Sequence, residues 1–185
     1  MKQLFALSLF AAFTAAAAFG AAPPTPSVSH LFDQQLTMLE HELVPLVEAM
    51  PADKFDFAPT DGNFKGVRTF GQQASHVAAV MYSVSAAILQ EKNPSETGKS
   101  ENGPASLKTK DDIVKYLKGA FAYSHKAMGS LTQSNIFDMV PSPFGGGKVP
   151  RLSIVDIPIW HSFDHYGQMV VYLRMNGIVP PASRR

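Results

Sequence analysis

Two histidines in the last third of the chain have a spacing suited to metal binding. His161 and His165 lie four residues apart in the segment 157–174, which reads IPIWHSFDHYGQMVVYLR. On an α-helix this spacing places both imidazoles on one face, one turn apart, so that two ring nitrogens can converge on one divalent ion. The apolar stripe of the segment runs along the same face, and Gln168 lies on this face as well. Polar side chains that face a core are costly unless they are hydrogen-bonded or bound to a metal.

A third ligand must come from another helix, because two imidazoles hold a metal only weakly. His76 is the best candidate, since it lies beside the apolar stripe of a second predicted helix. His125 flanks the stripe of a third helix and is a candidate spare ligand or a group that orients a ligand. Gln168 is predicted to orient a ligand or a metal-bound water. From the residues alone, a metal site and a set of hydrogen-bonded core histidines are both open.

The order of these features resembles the DinB superfamily. The residues that carry the resemblance are His76, the motif His-Ser-Phe-Asp-His-Tyr-Gly-Gln at 161–168 and the segment Tyr-Leu-Arg-x-x-Gly at 172–177. The segment Phe-Ala-Pro-Thr at 57–60 also resembles a loop of that family. The resemblance covers essentially the whole domain. It implies a four-helix bundle, often dimeric, with a divalent-metal site on three histidines, here His76, His161 and His165. Some members of the superfamily are thiol transferases, others resemble maleylpyruvate isomerases, and many have no known activity.

Four segments carry the helical periodicity that would position these side chains. Apolar residues recur at spacings of three and four in 28–50, 69–91, 109–131 and 153–176, the stripe of an amphipathic helix. The fold class predicted from this pattern is all-α, a four-helix bundle over residues 28–179. Pro45 should kink the first helix or restart it.

Helix starts are indicated by capping residues. Thr69 with Gln72 has the spacing of an N-terminal capping box, and Thr109 with Asp112 is another N-terminal cap signal. Ser153 and Asp156 are predicted to mark the start of the fourth helix.

The connections between the helices are long and contain Pro and Gly. They comprise 51–68, 92–108 and 132–152, and none contains an alternating apolar run long enough to predict a sheet. The glycine-rich segment 143–148 is predicted to be a flexible loop or a lid. Trp160 is expected to serve packing. Long connections at one end of a scaffold often carry function.

The first residues have the composition of a secretory signal peptide. Lys2 precedes an apolar run, and small residues follow it, so residues 1–20 are predicted to be removed by cleavage between positions 20 and 22. Residues 21–27 (AAPPTPS) would then form a Pro-rich leader. The alternative is an uncleaved membrane anchor, although the run is short for a span of about 20 residues. The mature protein is thus expected to be periplasmic or secreted, without a stable membrane span.

Composition excludes several classes of function. The 16 basic and 15 acidic residues give a net charge of +1, which provides no electrostatic basis for nucleic-acid binding. The chain has no cysteine, so thiolate metal sites, iron–sulfur clusters, disulfides and a cysteine nucleophile are excluded.

The function predicted is that of a metal-dependent hydrolase or transferase. Its three-histidine site would activate water or a thiol for a small-molecule substrate, in a protein that could be a homodimer. Zinc is the first expectation for the metal, with nickel, iron or manganese as alternatives. The alternatives to an enzyme are a non-catalytic metal- or ligand-binding bundle and a structural bundle whose histidines only form hydrogen bonds.

Overall fold

Four α-helices form the frame of the molecule, as the periodicity predicts. The structure is a computed structural model that describes residues 25–95 and 100–184. The helices are α1 (Val28–Ala49), α2 (Phe70–Leu89), α3 (Lys110–Gly129) and α4 (Ile157–Met175). The predicted signal peptide (1–20) and residues 21–24 of the leader lie outside the described residues.

The helices pack as an all-α bundle, with α1 and α2 each lying against both α3 and α4. Each helix contributes the stripe that its sequence predicts. On α1, four leucines at spacings of three and four are fully buried: Leu36, Leu39, Leu43 and Leu46. Burial of one such side chain stabilises the fold by about 1.5–3 kcal/mol. Within the described residues, none of the helices is both long enough and apolar enough to cross a membrane.

Both predicted helix caps are present, and each is a capping box. The Thr69 hydroxyl accepts from the backbone N–H of Gln72 at 3.2 Å, and the Gln72 side chain accepts from the Thr69 N–H at 3.0 Å. Thr109 and Asp112 make the same reciprocal pair at the start of α3. Each box satisfies two of the N–H groups that a helix start leaves without an intrahelical partner.

The prediction that α4 starts at Ser153 is wrong by four residues. A 3₁₀ turn, Arg151–Ser153, comes first, and α4 begins at Ile157 with Asp156 as N-cap residue, whose side chain makes no capping bond. Pro158 explains the late start. It lacks an N–H, which costs nothing in the first turn of a helix, where that group has no intrahelical partner, but costs a hydrogen bond further inside.

Pro45 does not restart α1, which runs through it as one helix from Val28 to Ala49. The flanking residues Leu43 and Leu46 are both fully buried in the core. Their packing in the core stabilises the helix at this point, where proline cannot donate a backbone hydrogen bond.

A β-hairpin in the last long connection was not predicted. Strands β1 (Met139–Pro141) and β2 (Lys148–Pro150) pair antiparallel with Val140 opposite Val149. The turn between them contains three successive glycines, 145–147, with φ of +84°, +83° and +104°, a conformation that residues with a Cβ rarely adopt. The segment predicted to be a flexible loop is therefore the turn of a hairpin.

Arg151 fixes this hairpin to the bundle. Its buried guanidinium donates to the backbone carbonyl of Ile88 at 3.2 Å and to that of Asn135, and it lies 3.4 Å from the carboxylate of Asp138. One side chain thus joins the C-terminal end of α2 to the connection, and Phe144 of the hairpin turn lines a cleft together with His76 and His161.

Candidate metal centre

The three histidines predicted as ligands come together between α2 and α4. The ring centroids are 5.1 Å apart for His76 and His161, 4.9 Å for His76 and His165, and 4.7 Å for the pair on α4. One ring nitrogen from each residue lies within 4.8 Å of the other two. Nitrogens that share a tetrahedral metal at its usual bond length are roughly 3.3 Å apart, so small rotations of the side chains suffice to close them on one ion.

The tautomer of His76 is set by a backbone carbonyl. Its Nδ1 lies 2.6 Å from the carbonyl oxygen of Glu101. A carbonyl can only accept, so Nδ1 carries the proton and donates it, and Nε2 keeps its lone pair. Arg68 holds the segment that supplies this carbonyl, since its guanidinium donates to Asn102 at 2.7 Å and to the carboxylate of Glu101 at 2.9 Å.

The tautomer of His165 is set by a chain of side chains that ends at a carboxylate. Asp164 accepts from the amide of Gln168 at 3.2 Å, and the amide oxygen of Gln168 accepts from Gln73 at 3.2 Å. The amide oxygen of Gln73 lies 2.5 Å from Nδ1 of His165. An ionised carboxylate can only accept, which fixes the direction of each amide and makes His165 donate from Nδ1. Its Nε2 is therefore free to bind a metal.

His161 contributes a buried nitrogen with no hydrogen-bond partner among the described residues, Nδ1. An unpaired polar atom in a buried position is destabilising, whereas a metal ion would use the lone pair of such an imidazole. Together with two imidazoles that present Nε2, this donor set suits a divalent ion of zinc type.

Burial keeps the cluster uncharged at neutral pH. It lowers the pKa of His161 to about 4, with the neighbouring His76 as the next cause, and it lowers the pKa of His165 to about 4, with the neighbouring histidines adding to the effect. Burial also lowers the pKa of His76. Only neutral imidazole binds a metal, so the site is in its binding form at neutral pH.

The other candidates from the sequence lie elsewhere or act indirectly. His125 is not part of the cluster, because its two nitrogens face Asp33 at 2.6 Å and Glu40 at 3.1 Å on α1. Gln168 is exposed rather than buried in the seam, and it acts on His165 through Gln73.

Sequence reasoning missed Gln73, although a signal was present. Gln73 precedes His76 by three residues and so lies on the same face of α2, where it is buried. A buried amide one turn from a candidate ligand indicates a hydrogen-bonding role, but its partner on α4 depends on how the two helices pack.

Two clefts open onto the histidines. One, of about 510 Å³, is polar and includes Arg68, Asp164 and Gln168 in its lining. The other, of about 390 Å³, is lined mainly by apolar side chains, among them Phe144 of the hairpin turn and Trp160 of α4. His76 and His161 line both clefts, and the cluster therefore lies at the boundary between a polar and an apolar space.

Fold and site define a class of four-helix bundles with a three-histidine cluster between two helices. A sequence model of the DinB superfamily matches residues 35–169. The chain therefore belongs to the DinB superfamily, as the order of its histidines predicts.

A solved structure supports the fold. The crystal structure of a DinB-like protein from Bacillus cereus ATCC 10987 resembles the chain with a TM-score of 0.65, over 84% of this chain and 97% of that one, at 16% sequence identity. No curated protein matches the chain.

Proposed function

We propose that the protein binds one divalent metal ion through His76, His161 and His165 and is a metal-dependent hydrolase or transferase. The observation that carries this proposal is the convergence of three neutral imidazoles from two helices, with one nitrogen of each within 4.8 Å of the others. A divalent ion held there would act as a Lewis acid that lowers the pKa of a water or thiol ligand.

The neighbouring residues support this chemistry by fixing the ligands. The carbonyl of Glu101 and the amide of Gln73 each hold one imidazole in the Nδ1–H tautomer. Metal ligands held in this way already have the tautomer that the ion needs, and their basicity is increased. The polar cleft also includes Asp164 in its lining, and we assign its carboxylate as the acceptor of the proton that a nucleophile releases.

An open site favours an enzyme over a closed structural site. Within residues 25–95 and 100–184, the cluster of metal-ligating side chains comprises three histidines and no fourth group, and two clefts reach it. Structural zinc sites have four protein ligands, whereas catalytic ones keep a position for water or substrate. Zinc is our first choice for the metal, with nickel, iron or manganese as alternatives.

Metal content tests the site. Protein purified without added metal is measured by elemental analysis, together with His161→Ala, His165→Ala and the control His125→Ala. We expect about one equivalent in the wild type and the control and a loss in both site variants. Stoichiometric metal in a His161/His165 double variant would refute the assignment.

Cobalt substitution separates an open from a closed site. We expect the visible spectrum of the cobalt-loaded protein to change when azide is added, because azide takes the position left for substrate. An unchanged spectrum would support the alternative, a non-catalytic metal- or ligand-binding bundle. A screen of ester, amide and phosphoester hydrolysis and of thiol transfer then follows on the loaded protein.

Export and dimerisation are further parts of the proposal. A secreted or periplasmic location rests on the composition of residues 1–20, and it favours hydrolysis over transfer from low-molecular-weight thiols, which are chiefly cytosolic. N-terminal sequencing of the exported protein should show cleavage between positions 20 and 22. Light scattering measures whether it is a homodimer.

A further inference from the structure

Two large aromatic side chains stand exposed in the lining of one cleft beside the histidine cluster. Trp160 is 55% exposed and Phe144 is 66% exposed, and both line the apolar cleft with His76 and His161. Trp160, which the sequence predicts to serve packing, is therefore not buried in the core. Exposed aromatic residues in the lining of a concave site are typical of a surface that binds a ligand.

Local structure places each of these rings. Trp160 precedes His161 on α4, so its side chain points about 100° around the helix from that ligand and away from the core. Phe144 lies in the turn of the hairpin, which the glycines at 145–147 allow to close. Arg151 holds the base of the hairpin against the end of α2, and Phe144 in the turn of the hairpin lines the cleft.

Among the described residues, the remaining lining of the cleft is uncharged apart from one carboxylate. Ala79, Val80 and Ile157 contribute apolar surface, and Glu101 is paired with Arg68 at 2.9 Å. The volume of about 390 Å³ is within the range of small-molecule sites. A cavity of about 150 Å³ holds benzene, so this cleft has room for one aromatic ring and a short linker.

The histidine cluster determines which chemical group the ligand carries at its other end. Three neutral imidazoles bring no negative charge, so a divalent ion bound to them keeps its full charge. Such an ion favours an anionic oxygen donor as its further ligand. The apolar cleft and the metal position share His76 and His161, so one molecule can occupy both.

We propose that the substrate is a small aryl or arylalkyl molecule whose ring lies in the cleft between Trp160 and Phe144 and whose anionic oxygen head group reaches the metal. This inference rests on the proposed function, because it takes the three histidines as the metal site. It adds the chemical class of the substrate and the two residues that select it.

Binding of two matched chelators tests the inference. Benzohydroxamate and acetohydroxamate share a head group that binds metals, and only the first has a ring. Trp160 is the single tryptophan of the chain, so its fluorescence reports occupancy of the cleft. In the zinc-loaded protein we expect benzohydroxamate to bind about tenfold more tightly, since burial of even part of a ring is worth that factor.

Two variants show whether the ring lies where we propose. Phe144→Ala should remove most of the tenfold preference and leave the affinity for acetohydroxamate unchanged. Phe137→Ala is the matched control, because Phe137 is 70% exposed and does not line the cleft. Equal affinities of the two hydroxamates in the wild type, or a preference that persists in Phe144→Ala, would overturn the inference while the metal site stands.

A probe without a chelating group separates the two proposals. Benzyl alcohol is titrated into metal-free protein, with the fluorescence of Trp160 as the signal. If the protein binds no zinc, the metal-dependent function is refuted. Saturable quenching by benzyl alcohol that Phe144→Ala weakens would in that case still support the aromatic cleft. Absence of quenching in that case would overturn both.

Discussion

The amide oxygen of Gln73 lies 2.5 Å from Nδ1 of His165, across the interface between α2 and α4. This contact is the last step of a chain that starts at the carboxylate of Asp164 and passes through Gln168. Because every group in the chain has a fixed donor or acceptor role, a carboxylate at the surface determines which nitrogen of a buried histidine faces the metal position.

Gln73→Leu should weaken metal binding without removing a ligand. Loss of the acceptor leaves the Nδ1–H of His165 unpaired and its tautomer unfixed, and changes of this type reduce metal affinity by about 10–100-fold. Gln73→Glu keeps an acceptor oxygen and should stay within a few-fold of the wild type. Competition with a chromophoric chelator measures both.

The exposed Gln35 of α1 provides the control for this experiment. Gln35→Leu makes the same chemical change on a helix that carries none of the three clustered histidines and should leave affinity unchanged. A folded Gln73→Leu variant with wild-type affinity would show that the amide has no role in positioning His165.

His125 should make the stability of the bundle depend on pH. Burial alone lowers its pKa, but the hydrogen bonds to Asp33 and Glu40 outweigh this and raise the pKa above the ordinary value of 6.5. The protonated ring therefore stabilises the contact between α1 and α3 fully below about pH 6.5, and this stabilisation is lost as pH rises through the raised pKa.

The measurement compares the wild type with His125→Gln by urea unfolding at pH 6 and pH 9. The difference in free energy of unfolding should be roughly 1 kcal/mol at pH 6, a small value because the group is partly exposed, and should shrink at pH 9. A difference that is the same at both pH values would contradict the role of the charge. Metal content should not change in this variant.

Arg151→Met should destabilise the fold by about 2–3 kcal/mol. The substitution keeps the length of the side chain but leaves the carbonyls of Ile88 and Asn135 without their buried donor. Arg174→Met is the matched control, since Arg174 is exposed and should change stability by less than about 0.5 kcal/mol. Equal effects in the two variants would show that the hairpin is not held by Arg151.

Two glycines within helices should respond to alanine in opposite directions. A Cβ at Gly119 would lie 2.5 Å from the hydroxyl of Tyr82, whose ring packs against Tyr116 and Tyr123, whereas a Cβ at Gly167 meets nothing within 4 Å. Alanine gains about 1 kcal/mol over glycine inside a helix, but overpacking costs about 1–3 kcal/mol. Thermal unfolding should show Gly167→Ala as more stable and Gly119→Ala as less stable than the wild type.

The sequence predicted those parts of the fold and site that depend on local spacing. The helices follow from apolar spacing of three and four, and the capping boxes at Thr69 and Thr109 from residues three apart. His161 and His165 could be placed on one helical face by their separation alone. The third histidine of the cluster, His76, was predicted from the stripe of its helix and from the family resemblance.

What could not be predicted depends on contacts between distant segments or on elements that are too short. The hairpin strands have three residues each, which is too few for an alternating pattern to be recognised. The link from Gln73 to His165 joins residues 92 positions apart. Its existence depends on the packing of α2 against α4, which no local pattern encodes.

A metal ion at the histidine cluster would also act as a cross-link. It would tie α2 to α4 through residues 76 and 165, in a chain that has no cysteine and can form no disulfide. Closure of a long loop restricts the unfolded chain in the way that a covalent bridge does. Removal of the ion with a chelator would thus lower the stability of the bundle, as reduction does in a disulfide protein.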